Sequence, residues 1–225
     1  MSGESRTILV TGASRGIGRA TCDRLTAAGH RVVEWSRKDG VDLAELDAIP
    51  GRVAELLSAT PELDGVVASA AAPTFGHLEE LAPREIAASI ELNLTSPIVL
   101  VRALLPHFKR AGRGDVVLIG SESGKRGGKR GSIYSAAKFG LRGFAEAIRA
   151  ESAGAGVRVG VVHPGAVRTS WFDSLDFAPG DGADEALEAD DVARVVEQMI
   201  TARPGVVIDE IDLSPQKRVF RPRPK

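Results

Sequence analysis

Short runs rich in Val and Ile alternate with longer helical stretches, and this alternation constrains the fold of the chain more than any other feature. Six such runs are predicted strands: Thr7–Val10, Arg31–Trp35, Gly65–Ala68, Asp115–Ile119, Arg158–Val162 and Val206–Ile208. Helices are predicted at Gly16–Ala28, Asp47–Ser58, Pro83–Ala111, Ile133–Gly154 and Asp190–Thr201. Strands that alternate with helices form a parallel sheet with helices on both faces. With a very short strand at Val41–Leu43, we predict an α/β, doubly wound domain whose mainly parallel sheet has about seven strands.

No linker rich in Pro, Gly or Ser interrupts this alternation, so we interpret the chain as a single domain. Its 225 residues, 43% of them hydrophobic, are enough for one core. We predict that the domain covers residues 1–216. The remaining residues, 217–225, include three Arg, two Lys and two Pro, and they are predicted to form a basic tail that trails over the surface.

The charge balance and the single cysteine exclude several classes of protein. The chain has 29 Lys and Arg against 30 Asp and Glu, and a pI of about 6.5 does not suit a nucleic-acid-binding protein. Cys22 is the one cysteine, which excludes a disulfide within the chain. We find neither a signal-peptide pattern nor a run of about 18 apolar residues, so we expect a cytoplasmic protein without a membrane span. The histidines lack metal-ligand spacing, and we expect no metal site.

A glycine-rich turn directly follows the first predicted strand. It reads Thr-Gly-Ala-Ser-Arg-Gly-Ile-Gly over residues 11–18 and opens the first predicted helix. Glycines let the backbone turn tightly and approach a pyrophosphate, and a helix N-terminus offers free N–H groups and the positive end of its dipole. The turn therefore predicts a dinucleotide site at the carboxyl end of the first strand, where ligands bind in doubly wound sheets.

The spacing of the glycines is similar to the cofactor turn of the classical short-chain dehydrogenases/reductases, because three residues separate Gly12 from Gly16. The resemblance covers about Thr7 to Leu213 and implies a Rossmann-type domain that binds a nicotinamide cofactor and a small-molecule substrate. It also implies a homodimer or homotetramer.

The end of the second strand then indicates which cofactor is bound. An acid there would hold the ribose 2′-hydroxyl of NAD, but the chain has Ser36 and Arg37, with Arg15 in the glycine turn. Two guanidinium groups can pair with a 2′-phosphate, so NADP(H) is expected and NAD is less favoured. Glu34 is the competing acid, but strand alternation places it one step too early.

Tyr134 and Lys138 form a second motif, Tyr-Ser-Ala-Ala-Lys, on a predicted helix. Residues at i and i+4 share a helix face, so the lysine ammonium can lie beneath the phenol. A phenol has a pKa of about 10, and a neighbouring cation lowers it towards neutrality.

Ser121 follows a predicted strand and could hydrogen-bond a substrate oxygen. Asn93 falls in mid-helix, which is unfavourable unless its side chain has a role.

Together, Asn93, Ser121, Tyr134 and Lys138 resemble the catalytic tetrad of this family. The resemblance implies hydride transfer between NADPH and a carbonyl or secondary alcohol substrate, with Tyr134 as the general acid or base. It also implies that Lys138 holds the nicotinamide ribose and that Asn93 positions a water linking Lys138 to solvent. A non-catalytic NADP-binding sensor or scaffold is the alternative.

The resemblance assigns the cofactor site to residues from several segments. Asp42 and Leu43 are similar to the adenine-pocket pair, Pro164 and Gly165 to the segment beside the nicotinamide, and Thr169 to the residue that binds its carboxamide. The predicted cofactor residues are Gly12, Ser14, Arg15, Gly16, Ile17, Gly18, Ser36, Arg37, Asp42, Leu43, Ala70, Ala71, Tyr134, Lys138, Pro164, Gly165, Val167 and Thr169.

Three further segments bear on the substrate and on the stability of the site. Residues 170–189 show no clear period and are predicted to form a substrate lid, with Trp171 and Phe172 facing either the substrate or the core. Ala68-Ser69-Ala70-Ala71 stands where the family has Asn-Asn-Ala-Gly, a departure that bears on cofactor affinity and stability. The loop 125–130 carries four positive charges and is either a solvated loop or a contact for an anionic substrate.

Overall fold

Six parallel strands form the central sheet in the computed structural model, which describes residues 5–223. Their order across the sheet is β2-β1-β3-β4-β5-β9, and every neighbouring pair is parallel. Strands β2 and β3 lie on opposite sides of β1. The connections that follow β1 and β3 therefore run in opposite directions, and a crevice opens beyond the carboxyl ends of these two strands. The strands are β1 (Thr7–Thr11), β2 (Arg31–Trp35), β3 (Leu63–Ala68), β4 (Gly114–Ile119), β5 (Val157–Pro164) and β9 (Glu210–Leu213).

Helices cover both faces of the sheet, which confirms the predicted doubly wound α/β class. On one face, side chains of α1 (Gly16–Ala27) and α6 (Ala189–Thr201) pack in one apolar cluster. On the other face, α2 (Ile49–Ala59), α4 (Ser96–Ala111) and α5 (Ser132–Ser152) pack in a second. Every residue of β1, β3 and β4 is buried, so both faces of the central sheet are covered by helices.

The long helix predicted at Pro83–Ala111 is interrupted by one wider turn. It consists of α3 (Pro83–Ile90), a π-helical turn at Glu91–Thr95, and then α4. Such turns often occur at functional sites, and Asn93 lies inside this one. Taken as one helix, Pro83–Ala111 is long and apolar enough to cross a membrane. A core helix passes the same test, and this one contributes Leu100, Leu104 and Phe108 to the core.

Two predicted strands are wrong, and the sheet has six strands rather than seven. Val41–Leu43 is loop, because only five residues separate it from β2 and a parallel neighbour needs a crossover of about a dozen residues. Val206–Ile208 is also irregular, and the last strand begins later, at Glu210. The Arg158 guanidinium donates to the carbonyl of Val206 at 3.3 Å, so a side chain rather than a neighbouring strand satisfies that part of the backbone.

The end of the described chain does not trail over the surface as predicted. Strand β10 (Phe220–Pro222) pairs antiparallel with β7 (Phe177–Pro179), which lies inside the predicted lid. A second small sheet joins β6 (Val167–Arg168) to β8 (Leu187–Glu188) across the same lid. The described part of the tail is exposed, but backbone pairing and opposite charges hold it against residues 177–179 of the predicted lid. Residues 1–4 and 224–225 lie outside the described part of the chain.

Candidate active site

One cavity of about 770 Å³ extends from the carboxyl ends of β1 and β3 to the lid. This volume is in the usual range for a ligand or cofactor site. Every residue predicted from the sequence to contact the cofactor lines it, and so do Ser121, Tyr134 and Lys138. Asn93 is the one predicted site residue that does not, because it is buried behind the wall. The roles assigned to these residues stay predictions, but the structure brings them to one place.

Two glycines of the turn leave no room for a side chain. Gly12 has a φ of +68°, and a Cβ there would lie 2.9 Å from the Cα of Ala70. A Cβ on Gly18 would lie 2.2 Å from the carbonyl oxygen of Gly12. No side chain caps the start of α1, where Arg15 is the N-cap residue. The first N–H groups of the helix are therefore open to an anion at the cavity wall.

Two arginines lie at the end of the cavity that is predicted to hold the adenosine. Arg15 and Arg37 are both exposed there, and neither forms an ion pair with a residue of the described chain. The competing acid, Glu34, does not line the cavity, and its Oε2 accepts from Nη1 of Arg19 at 2.7 Å. Asp42 reaches the cavity from the loop that replaces the predicted third strand.

The loop after β3 lacks the two asparagines of the family, and hydrogen bonds to another residue hold its backbone in place. The Thr11 hydroxyl accepts from the backbone N–H groups of Ser69 at 3.1 Å and Ala70 at 3.2 Å. Ala71 takes the place of a family glycine without backbone strain, because Arg130 is the one non-glycine residue with a positive φ in the described chain. The departure from Asn-Asn-Ala-Gly therefore leaves the loop after β3 held in place.

Asn93 contributes to the same loop from the π-helical turn. Its Oδ1 accepts from the backbone N–H of Ala72 at 3.2 Å, and its Nδ2 donates to the carbonyls of Ala72 at 3.1 Å and Ser89 at 3.0 Å. Its buried amide thus joins the helix to the chain that follows β3. Asn93 therefore positions the backbone of this loop and does not itself line the cavity.

We expect Asn93→Ala to lower the free energy of unfolding by about 3 kcal/mol, because the Ala72 backbone groups lose their partners in a buried setting. Urea denaturation of the purified protein measures this change. The control is Glu91→Ala on the same turn, where the side chain is exposed and a change below about 0.5 kcal/mol is expected. Equal stability of the two variants would contradict a bracing role.

Tyr134, Ser121 and Lys138 meet at the lid end of the cavity. Tyr134 on α5 lies beside Ser121, which follows β4 and whose side chain lowers the pKa of Tyr134; the Ser121 hydroxyl also accepts from the backbone N–H of Ser123 at 3.1 Å. Lys138, one turn later, has its Nζ 5.7 Å from the centre of the Tyr134 ring, and that nitrogen donates to the Ile119 carbonyl at 2.9 Å. An ammonium has three donors, so two remain for groups in the cavity.

The pKa values at this end differ from the sequence-based expectation. Burial raises the pKa of Tyr134 above its usual range, and the hydrogen bond from Ser121 opposes that rise only in part. Burial also lowers the pKa of Lys138 to about 8. The pKa of Tyr134 is therefore raised in this structure rather than lowered, because both groups are nearly inaccessible to water and burial is the largest effect on it.

Lys138 should make the stability of the protein depend on pH. Its pKa of about 8 lies below its usual 10.5, so the unfolded chain binds more protons between these values and the wild type gains stability as pH rises through them. We expect the free energy of unfolding of wild type, relative to Lys138→Met, to increase between about pH 7 and pH 10. Urea denaturation at several pH values measures the difference. The exposed Lys109→Met is the control, and the same pH dependence there would contradict the assignment to Lys138.

Several residues of the cavity could not be recognised from the sequence. Phe75, Phe177 and Phe220 line it beside the predicted Trp171 and Phe172. His163 is buried beneath Ser121, and its Nδ1 lies 3.1 Å from the Ser121 carbonyl oxygen. The three phenylalanines come from separate segments and carry no motif, so only the folded chain brings them to the cavity.

Two of the four positive charges of the basic loop are paired with acids. Nζ of Lys125 lies 2.7 Å from Asp212, and Arg130 pairs with Asp176 at 2.9 Å. Lys129 remains exposed and lines the cavity. The pairing favours the solvated-loop interpretation for these two charges.

Comparison with known protein sequences found one matching family and several similar proteins. The model of the family described as short chain dehydrogenase matches residues 6–40 and 40–177. The 3-oxoacyl-(acyl-carrier-protein) reductase MabA of Mycobacterium avium is 31% identical over 202 residues, which cover 86% of this chain and 79% of that protein.

Two solved structures share most of the fold. A metagenomic short-chain oxidoreductase in complex with NADP is 30% identical, with a TM-score of 0.77 over 96% of this chain and 99% of that one. An alcohol dehydrogenase from the archaeon Thermococcus sibiricus, complexed with 5-hydroxy-NADP, is 26% identical, with a TM-score of 0.81 over 96% of this chain and 99% of that one. Since the family model matches well over half of the chain, this protein belongs to the short chain dehydrogenase family.

Proposed function

We propose that this protein is an NADPH-dependent reductase of carbonyl compounds, which in reverse oxidises a secondary alcohol. One observation carries the proposal: Tyr134, Ser121 and Lys138 meet at one end of a cavity whose other end is an uncapped helix N-terminus behind a glycine turn. A phosphate-binding end and a proton-transfer end in one cavity suit a dinucleotide cofactor with a small substrate beside it.

The charges at the adenosine end support NADP over NAD. Arg15 and Arg37 are free to pair with a 2′-phosphate, whereas Glu34, which could accept from a 2′-hydroxyl, is paired with Arg19. Guanidinium groups bind phosphate in bidentate geometry and lose little by remaining solvated when it is absent. NADP in the similar metagenomic and archaeal structures points the same way.

The nicotinamide, when bound, supplies the hydride that reduces the carbonyl carbon. Tyr134 donates the proton to the substrate oxygen, and its raised pKa keeps it protonated near neutral pH, as reduction requires. Ser121 donates a second hydrogen bond to that oxygen and stabilises the developing charge. Lys138 holds the ribose hydroxyls through its two unused donors and, when protonated, stabilises the phenolate left after proton transfer. Asn93 keeps the loop after β3 in position.

The test follows the absorbance of NADPH with a panel of aldehydes, ketones, diketones, quinones and 3-oxo thioesters. We expect NADPH oxidation with at least one class of carbonyl compound, and the reverse reaction with the corresponding alcohol. NADPH binding without turnover of any class would contradict the proposal and favour a cofactor-sensing protein.

A further inference from the structure

Aromatic side chains form a continuous wall from the reacting hydroxyl to the mouth of the cavity. The ring of Tyr134 lies 5.4 Å from that of Phe75 and 5.5 Å from that of Trp171, between ring centres. Phe177 follows at 5.3 Å from Phe75, and Phe220 at 5.7 Å from Phe177. With Phe172, these six rings all line the cavity, and we call them the aromatic wall.

Phe220 is unusual within this wall. It is 49% exposed, one of few large apolar side chains so exposed in the described chain, and it lines the mouth of the cavity. An exposed ring at the edge of a cavity gains from being covered by an apolar ligand. No position in β10 is buried, so its aromatic residue is not explained by core packing.

Opposite charges hold β10 against the lid. Arg221 pairs with Asp181 at 2.7 Å and with Glu185 at 3.0 Å. Arg223 donates to the carbonyl of Phe172 at 2.9 Å and approaches Asp173 at 3.3 Å. Single exposed ion pairs contribute little, but here several act together with backbone pairing. Phe220 is thereby kept beside Phe172 and Phe177.

Arg130 connects the wall to the loop that carries Phe75. Its backbone has a φ of 60°, its carbonyl accepts from the N–H of Gly76 at 2.7 Å, and its guanidinium pairs with Asp176 in the lid. A non-glycine residue in this conformation is held there by its surroundings. The contacts join both sides of the aromatic wall.

The charges around the wall are largely balanced. Arg130 is neutralised by Asp176, and Glu122 approaches Arg218 at 3.5 Å. Lys138 lies at the Tyr134 end of the cavity, and Lys129 is an exposed cation in the cavity lining. The wall therefore offers aromatic area and little net charge.

We propose that the substrate is an uncharged carbonyl compound carrying an aromatic ring next to the carbonyl, and that Phe220 on β10 is a residue that determines this specificity. The inference rests on the proposed function. The substrate ring packs against Phe75, Trp171 and Phe177 while its carbonyl oxygen meets Tyr134 and Ser121, and Phe220 covers the outer edge of the ring. Aromatic rings pack favourably on one another in edge-to-face and offset arrangements.

The test compares three ketones under saturating NADPH: acetophenone, cyclohexyl methyl ketone and 4-acetylbenzoate. We expect kcat/KM for acetophenone to exceed that for each of the other two by about 10-fold: from aromatic packing in the first comparison, and in the second because burying a carboxylate among aromatic rings costs more than an exposed ion pair with Lys129 returns. Phe220→Ala should lower kcat/KM for acetophenone by about 10-fold and leave cyclohexyl methyl ketone nearly unchanged. Arg221→Ala should act in the same direction by loosening β10.

Phe139→Ala is the matched control, because Phe139 is 44% exposed on α5 outside the cavity. It should leave all three rates unchanged. Preference for the aliphatic or the charged ketone, or an equal effect of Phe220→Ala on all three, would overturn the aromatic assignment while the reductase stands. Absence of turnover with these ketones and with the wider carbonyl panel would instead overturn the proposed function itself.

Discussion

Tyr134→Phe should lower kcat by about 10²–10⁴-fold while the protein still binds NADPH with unchanged affinity. The phenol of Tyr134 lies beside Ser121 in the cavity, where we propose that the substrate carbonyl is reduced. Its removal takes away the proton donor and leaves the ring, which still packs against Phe75 and Trp171. The effect therefore falls on the chemical step, and stopped-flow single-turnover kinetics with NADPH measures it directly.

The binding of NADPH is the internal control for this variant. Quenching of tryptophan fluorescence by NADPH should give the same Kd in wild type and Tyr134→Phe, because the phosphate and adenosine contacts are untouched. Parallel loss of turnover and of NADPH binding would show that the variant disturbs the fold rather than the chemistry. Full turnover would contradict the role of Tyr134.

Tyr134 also permits an independent check, since it is the one tyrosine in the chain. The ultraviolet absorbance of tyrosinate therefore reports this residue alone. We expect the pKa of Tyr134 in the protein without cofactor to lie above its usual 10.0, because burial raises it. Ser121→Ala should raise it further, since the hydrogen bond from Ser121 lowers it. A pKa of Tyr134 below 10 would contradict the electrostatic account.

Removal of the arginines at the adenosine end should have the second large effect. We expect Arg15→Ala and Arg37→Ala each to raise the Kd for NADPH by about 10–100-fold, because each removes charge-assisted hydrogen bonds to the 2′-phosphate. The Kd for NADH should hardly change, because NADH lacks that phosphate. The ratio of the two Kd values, measured by fluorescence titration at fixed ionic strength, is the decisive quantity.

Arg31→Ala is the matched control. Arg31 lies at the opposite end of β2, pairs with Glu62 and does not line the cavity. It removes the same charge, so it accounts for any general electrostatic effect on an anionic ligand. Equal weakening of NADPH and NADH binding by Arg37→Ala would indicate a structural role and contradict the cofactor preference.

Most of the fold could be predicted from local patterns. Runs such as Asp115–Ile119 and amphipathic stretches such as Asp190–Thr201 have the periods of their elements, and the glycine turn marks the first crossover. The errors lie where local pattern is weak. A three-residue run at Val41–Leu43 lacks room for a crossover, and the edge strand Glu210–Leu213 carries charged residues that hide it.

The chemical motifs could be predicted for a related reason. Tyr134 and Lys138 are four residues apart on one helix, and the glycine turn is eight consecutive residues, so local geometry alone brings these groups together. Ser121 follows a central strand, at an edge where doubly wound sheets bind ligands. The place of Asn93 in a widened helical turn, bonded to Ala72, could not be read from spacing.

The sequence by itself thus determined the doubly wound sheet, the glycine turn and the Tyr-Lys pair, because each depends on contacts between residues close in the chain. Only the tertiary structure decided the electrostatics and the substrate end of the site. The raised pKa of Tyr134 comes from burial by distant segments. The aromatic wall is built from rings that extend from Phe75 to Phe220 along the chain. No local period relates such residues, and the basic tail joins the lid because its arginines meet acids that the fold places opposite them.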